Sequence, residues 1–83
     1  MLLDVISVEV QKDYNLRLVF ENREVRHFEM LPFLNKKPFD RLKDIKKFNL
    51  VKIEYGTLLW PDNIDIAPET LYEYSSAEIR GET

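Results

Sequence analysis

Leu16-Arg17-Leu18-Val19-Phe20-Glu21-Asn22-Arg23-Glu24-Val25-Arg26-His27-Phe28-Glu29 consists of two alternating runs joined by a polar tetrapeptide. Leu16, Leu18 and Phe20 fall on one side of an extended chain, with Arg17 and Val19 between them. Side chains on a strand alternate between faces, so this pattern marks a half-buried strand. Glu21 to Glu24 reads as a tight hairpin turn, in which Asn22 tolerates positive φ and Arg23 stands where Gly would be easier. Val25 to Glu29 is the returning strand. Upstream, residues 3–10 also alternate, with Ile6, Val8 and Val10 expected on the core face and Ser7 and Glu9 outside. Lys12-Asp13-Tyr14-Asn15 is turn-forming. The first 29 residues therefore predict an antiparallel three-stranded meander.

Downstream, Pro32 discourages further ladder pairing and the chain leaves the sheet. Pro38 suits the first turn of a helix, and Phe39, Leu42 and Ile45 follow at roughly helical spacing, so a short helix is expected at 38–45. Val51, Ile53 and Tyr55 resume period two on one face. Gly56-Thr57 is the expected turn, and Leu58-Leu59-Trp60 is a short return strand ended by Pro61. Pro68 to Tyr74 reads as a terminal helix, with Pro68 at its start and Glu69 near the positive end of its dipole. The expected fold is α+β: a three-stranded meander, a short helix, a β-hairpin and a C-terminal short helix packed on the sheet. The helices are expected to cover one face of a five-stranded, mainly antiparallel sheet. Residues 1–76 form the expected single domain, and 77–83 a frayed tail.

At 83 residues the chain fits one domain, and a hydrophobic content of 45% with 33% charged residues is ordinary globular composition. With no cysteine there is no disulfide, thiolate metal site or cysteine nucleophile. That fits a reducing cytoplasm. The stretch Met1 to Val5 lacks a basic leader and carries Asp4, so no signal peptide is expected. No apolar run approaches the roughly 20 residues that span a bilayer. The net charge of −3 is unevenly placed. Residues 36–47 hold Lys36, Lys37, Arg41, Lys43, Lys46 and Lys47 against Asp40 and Asp44. Residues 62–83 hold Asp62, Asp65, Glu69, Glu73, Glu78 and Glu82 against Arg80. Such a dipole can steer a charged partner or a second copy of the chain.

The stretch Trp60-Pro61-Asp62-Asn63-Ile64-Asp65-Ile66-Ala67-Pro68-Glu69-Thr70-Leu71-Tyr72 is the most specific motif. With the order of elements, it resembles the bacterial family of domain of unknown function 2442, whose box reads W-P-x-G-x-D-[IL]-x-P-[ED]-x-L-Y. Trp60, Pro61, Asp65, Ile66, Pro68, Glu69, Leu71 and Tyr72 fall on that pattern. Phe20, Asn22 and Glu24 match an F-x-N-x-E hairpin, and Phe39, Leu42 and Phe48 match the middle. Arg23 and Asn63 each replace a usual Gly. Asn readily adopts positive φ, so the second turn is expected to be kept, whereas Arg23 points to a different turn type at the first. The resemblance implies an α+β fold without an assigned reaction. Some members are fused to a helix-turn-helix domain, and some stand beside small proteins in toxin–antitoxin-like pairs. By that analogy this chain is a free-standing partner-binding half.

Each candidate chemistry has a plainer alternative. Asp62, Asn63 and Asp65 could offer oxygen ligands to a hard cation, but EF-hand spacing is absent, and an Asx-type turn closed by Asp65 is expected instead. Asp65 with Glu69 or Glu73 could form an acid/base pair, but no nucleophile, oxyanion donor or cofactor cradle accompanies it. His27, the single histidine, lacks partner ligands and is expected to be structural or surface-lying. The basic 36–47 segment could meet phosphates, yet a pI of about 5.1 argues against nucleic acid as a main ligand. Trp60 is expected to seal the core beneath the terminal helix, against Leu71. Tyr72 and Tyr74 cannot both face inward.

The sequence thus predicts a non-catalytic protein-interaction or regulatory module, cytoplasmic, with no cofactor, no metal and no membrane contact. Its expected partner is a protein or another copy of itself. The expected contact residues are Lys36, Lys37, Lys46, Lys47, Tyr72 and Tyr74, together with an exposed sheet edge. Trp60, Pro61, Asp65, Pro68, Glu69, Leu71 and Tyr72 are expected to be structural. A regulatory domain responsive to a small ligand or nucleic acid is the alternative, and an enzyme using the Asp65/Glu69 region the third reading.

Overall fold

The computed structural model describes residues 3–78. Strands β1 (Val5–Gln11), β2 (Asn15–Phe20) and β3 (Val25–Glu29) form the expected antiparallel meander. Leu16, Leu18, Phe20 and Phe28 are fully buried, as period two requires. The alternation breaks in β1. A bulge between Val5 and Ser7 shifts the register, so Val5 is buried while Ile6 is 54% exposed, contrary to the sequence expectation. One extra residue on an edge strand reverses the facing of the side chain it displaces.

The β2–β3 turn is closed by backbone hydrogen bonds, with Arg23 in the place where Gly would be easier. Arg23 N donates to Phe20 O at 2.8 Å and Phe20 N to Glu24 O at 2.9 Å. Arg23, not Asn22, takes positive φ, at +74°. This is a three-residue loop closed by a left-handed residue, a position Gly occupies most easily.

The expected helix at 38–45 is broken in two. Phe39–Lys43 is a 3₁₀ helix, and α1 (Ile45–Phe48) is one α-helical turn. Asp44 between them is extended, and its carboxylate accepts from Lys46 N at 3.1 Å. An aspartate in that conformation caps a new helix rather than continuing the old one. The break turns Ile45 outward and Phe48 into the core.

Strands β4 (Lys52–Glu54), β5 (Thr57–Trp60) and β6 (Ile64–Ile66) make a second antiparallel sheet. The β4–β5 turn residues are Tyr55 and Gly56, both at positive φ, one residue earlier than expected. This leaves Tyr55 96% exposed instead of sharing the face of Ile53. Gly56 suits that turn: its φ of +76° strains any side chain, and a Cβ would lie 2.4 Å from the Asp4 carboxylate, which would have to move. Strand β6 was not anticipated, although Ile64 and Ile66 are buried on either side of an exposed Asp65.

Helix α2 (Pro68–Tyr74) is as expected, with Pro68 in its first turn. Beyond it, β7 (Ser76–Ala77) pairs with β3 and completes the order β1-β2-β3-β7. Two sheets, of four and three strands, therefore replace the single five-stranded sheet. Ser75 is buried, Ala77 lies in a strand and Glu78 N donates to Val25 O at 3.0 Å. The tail expected from residue 77 is thus ordered at its first two positions, and the rest of it lies outside the described residues.

The sheets join through one core. Val5 N donates to Gly56 O at 2.8 Å, and the Tyr14 hydroxyl donates to Lys43 O. Trp60 stacks on Phe48 with ring centroids 6.0 Å apart and donates from Nε1 to Phe48 O at 3.0 Å. The tryptophan is core, as expected, but the ring contacts that define its place are with α1. Leu71 belongs to the same buried cluster.

Candidate functional site

Where β3 ends, Pro32 and the 3₁₀ turn Leu31–Phe33 swing the chain off the sheet. Phe33 turns back and stacks on buried Phe28, with centroids 5.3 Å apart and planes at 30°. Tyr74, at the end of α2, meets Phe33 edge-on at 6.0 Å, and Phe39 does so at 6.2 Å. Phe33 and Tyr74 thereby make an aromatic wall along a cleft of about 620 Å³ bounded by β3, Lys36, α2 and Ser76. Tyr74 remains 66% exposed. Glu29 and Lys36 line the same cleft, and neither enters an ion pair within 4.0 Å among the described residues.

His27 also borders the cleft. Its Nε2 lies 2.9 Å from Glu78 Oε1, which accepts from Arg17 Nε at 3.1 Å. Arg17, and after it His27, hold the Glu78 carboxyl below its ordinary value. This cluster ties the strand β7 end to β2 and β3.

On the other side of α2 lies a polar joint. Tyr72 donates from its hydroxyl to Glu24 Oε2 at 2.7 Å. Glu24 also receives Asn22 Nδ2 at 3.0 Å and Arg26 Nη1 at 3.0 Å. Arg26 reaches on to Ser75, from Nε to Oγ at 2.6 Å and from Nη2 to the carbonyl at 2.7 Å. Its guanidinium lies 4.3 Å from the centre of the Tyr72 ring, and that ring meets Phe20 edge-on at 5.2 Å. The guanidinium fork satisfies three acceptors at once, which an ammonium cannot do in that geometry.

The expected contact residues separate. Lys36 and Tyr74 share the cleft. Lys37 and Lys46 are exposed. Lys47 lies 3.5 Å from Asp62, which Arg41 approaches at 3.7 Å, so the basic and acidic segments meet within one chain. Tyr72 is half-buried, with its hydroxyl engaged by Glu24. Asp65 does not close an Asx-type turn: it lies exposed on β6 opposite Leu59, and its carboxylate takes part in no hydrogen bond among the described residues. The neighbouring turn is made by backbone, with Asp62 and Asn63 both at positive φ, the conformation that Asn adopts more readily than most residues. Glu69 and Glu73 are exposed on α2. Among the described residues, no three His, Cys, Asp or Glu side chains converge on a metal-sized site.

A family model described as protein of unknown function (DUF2442) matches residues 5–77. The chain belongs to the DUF2442 family. No curated protein and no solved structure shows a significant match. The box and hairpin quoted from the sequence meet in space: Glu24 of the hairpin, itself bonded by Asn22, accepts from Tyr72 of the box, while Trp60 and Leu71 lie in the core. Family residues here serve the joint between α2 and the sheet. The cleft draws on other positions, and Phe33 and Thr70 were not singled out from sequence. Phe33 carried a weak signal, an aromatic directly after a sheet-ending proline. Thr70 carried none.

Proposed function

We propose that this DUF2442 chain is a non-catalytic protein-interaction module that recognises a partner protein at the cleft between β3 and α2. The observation that carries this reading is the pairing of exposed Tyr74 with Lys36 on one concave, aromatic-walled surface. Tyr is enriched at binding hot spots, and a neighbouring charge such as Lys36 contributes selectivity and steering rather than the bulk of the affinity. Catalysis is a poorer reading: His27 at the cleft has its Nε2 engaged by Glu78, and among the described residues it makes no hydrogen bond to the cleft hydroxyls of Thr70 or Ser76 that would mark an activated nucleophile. No described helix is long and apolar enough to cross a membrane, and we place the module in the bacterial cytoplasm.

The test compares capture from host lysate by the tagged wild type and by the Lys36→Glu, Tyr74→Ala double variant. A stoichiometric protein retained by the first and lost by the second is the expected result. A partner held equally by both would move the interface off this cleft. If nothing is captured while a small molecule raises Tm, the alternative of a ligand-responsive regulator is favoured, since selective binding to the folded state stabilises it.

A further inference from the structure

Resting on that reading, we infer that the partner enters the cleft as an extended segment that pairs with the β3 edge at Glu29 and continues the line of β7. Backbone groups on a strand alternate in direction. Phe20 N donates to Glu24 O and Met30 N to Tyr14 O, so residues 24, 26, 28 and 30 turn their backbone groups toward β2. Val25, His27 and Glu29 turn theirs the other way. On that side β7 satisfies Val25 through Glu78 and faces His27 with Ser76, its first residue, which the chain reaches from α2 through Ser75. Glu29 is the next residue whose N–H and C=O point to that edge, and the cleft opens beside it.

The lining sets the chemistry of the segment. Period two sends one of its side chains to the Glu29 and His27 face and the next to the opposite face, where Phe33 rests on buried Phe28. The unpaired Glu29 carboxylate calls for a basic residue. The Phe33–Tyr74 wall calls for an apolar neighbour, and Lys36 for an acidic residue within reach. Main-chain pairing would supply affinity and these pockets specificity.

The probe is a displayed library of random octapeptides, selected on the wild type and counter-selected on Tyr74→Ala. Expected winners combine a basic, an apolar and an acidic residue, and slow hydrogen exchange at the Glu29 amide. N-methylation of the peptide residue facing Glu29 should weaken binding about tenfold, the scale of a lost main-chain hydrogen bond with its steric cost. Glu29→Lys should reverse the preference for a basic residue. Winners that need Tyr74 yet tolerate N-methylation at every position would overturn strand addition while leaving the interaction module standing. An unenriched library would also overturn strand addition, and the lysate comparison would then decide the broader reading separately.

Discussion

The hydroxyl of Tyr72 on α2 donates to the carboxylate of Glu24 at the end of the β2–β3 turn, across 2.7 Å. The bond holds the ionised form of Glu24 and the protonated form of Tyr72. Glu24 is accordingly lowered from its ordinary value of 4.5, first by Tyr72 and further by Arg26 and Asn22. Tyr72 is raised from 10.0, first by Glu24.

The linkage has a definite sign. A carboxyl lowered by folding adds stability above its unfolded value, and that stability is lost as pH falls through the folded value. Glu78 behaves in the same way. A phenol raised by folding adds stability below its unfolded value, lost as pH rises through the folded one. Thermal melts should therefore show a plateau between about 5 and 9.5, with losses below and above it. Tyr72→Phe should melt a few degrees lower on the plateau, with a shallower alkaline limb. An alkaline limb unchanged in Tyr72→Phe would show that another group governs it.

Arg26→Lys should be costly although the charge is kept. Lysine cannot reach Glu24, Ser75 Oγ and the Ser75 carbonyl together. Loss of two such bonds predicts about 2 kcal/mol in denaturant unfolding. A penalty within about 0.5 kcal/mol, the usual range for surface changes, would mean that α2 is held by its apolar face alone.

Trp60→Phe should lose about 1–2 kcal/mol beyond its packing change, because the Phe48 carbonyl is left without the indole donor. Amide exchange in α1 should accelerate first. Uniform acceleration throughout the core would argue against a local tie.

Arg23→Gly should stabilise the protein by about 0.5–1 kcal/mol, since a left-handed side-chain-bearing residue costs somewhat more than glycine's extra chain entropy. Gly56→Ala should do the reverse, because its Cβ would collide with the Asp4 carboxylate. Chemical denaturation of the two variants checks both signs.

The meander was legible because Leu16, Leu18, Phe20 and Phe28 follow a period-two rule that tertiary context reinforces. So was α2, marked by Pro68 at its start. Ile6 and Tyr55 were misplaced because a bulge and a one-residue shift in turn position leave no mark in hydrophobic alternation. The 38–45 stretch misled because Asp44 can sit in a helix or start one, and only the burial of Phe48 decides between them. Strand β7 was hidden because its two residues are small and polar or weakly apolar, and what fixes them is the remote pairing with Arg26 and His27. The cleft was half visible. Helical geometry required one of Tyr72 and Tyr74 to be exposed without saying which, and the meeting of Tyr74 with Phe33 depends on a chain reversal that no local signal encodes.

Ser76 and Ala77 are translated about fifty residues after the strand they complete. During synthesis β3 therefore presents a bare edge until Ser76 and Ala77 have left the ribosome. A nascent chain would be open to strand-seeking neighbours for longest at the edge beside which the finished protein keeps its cleft.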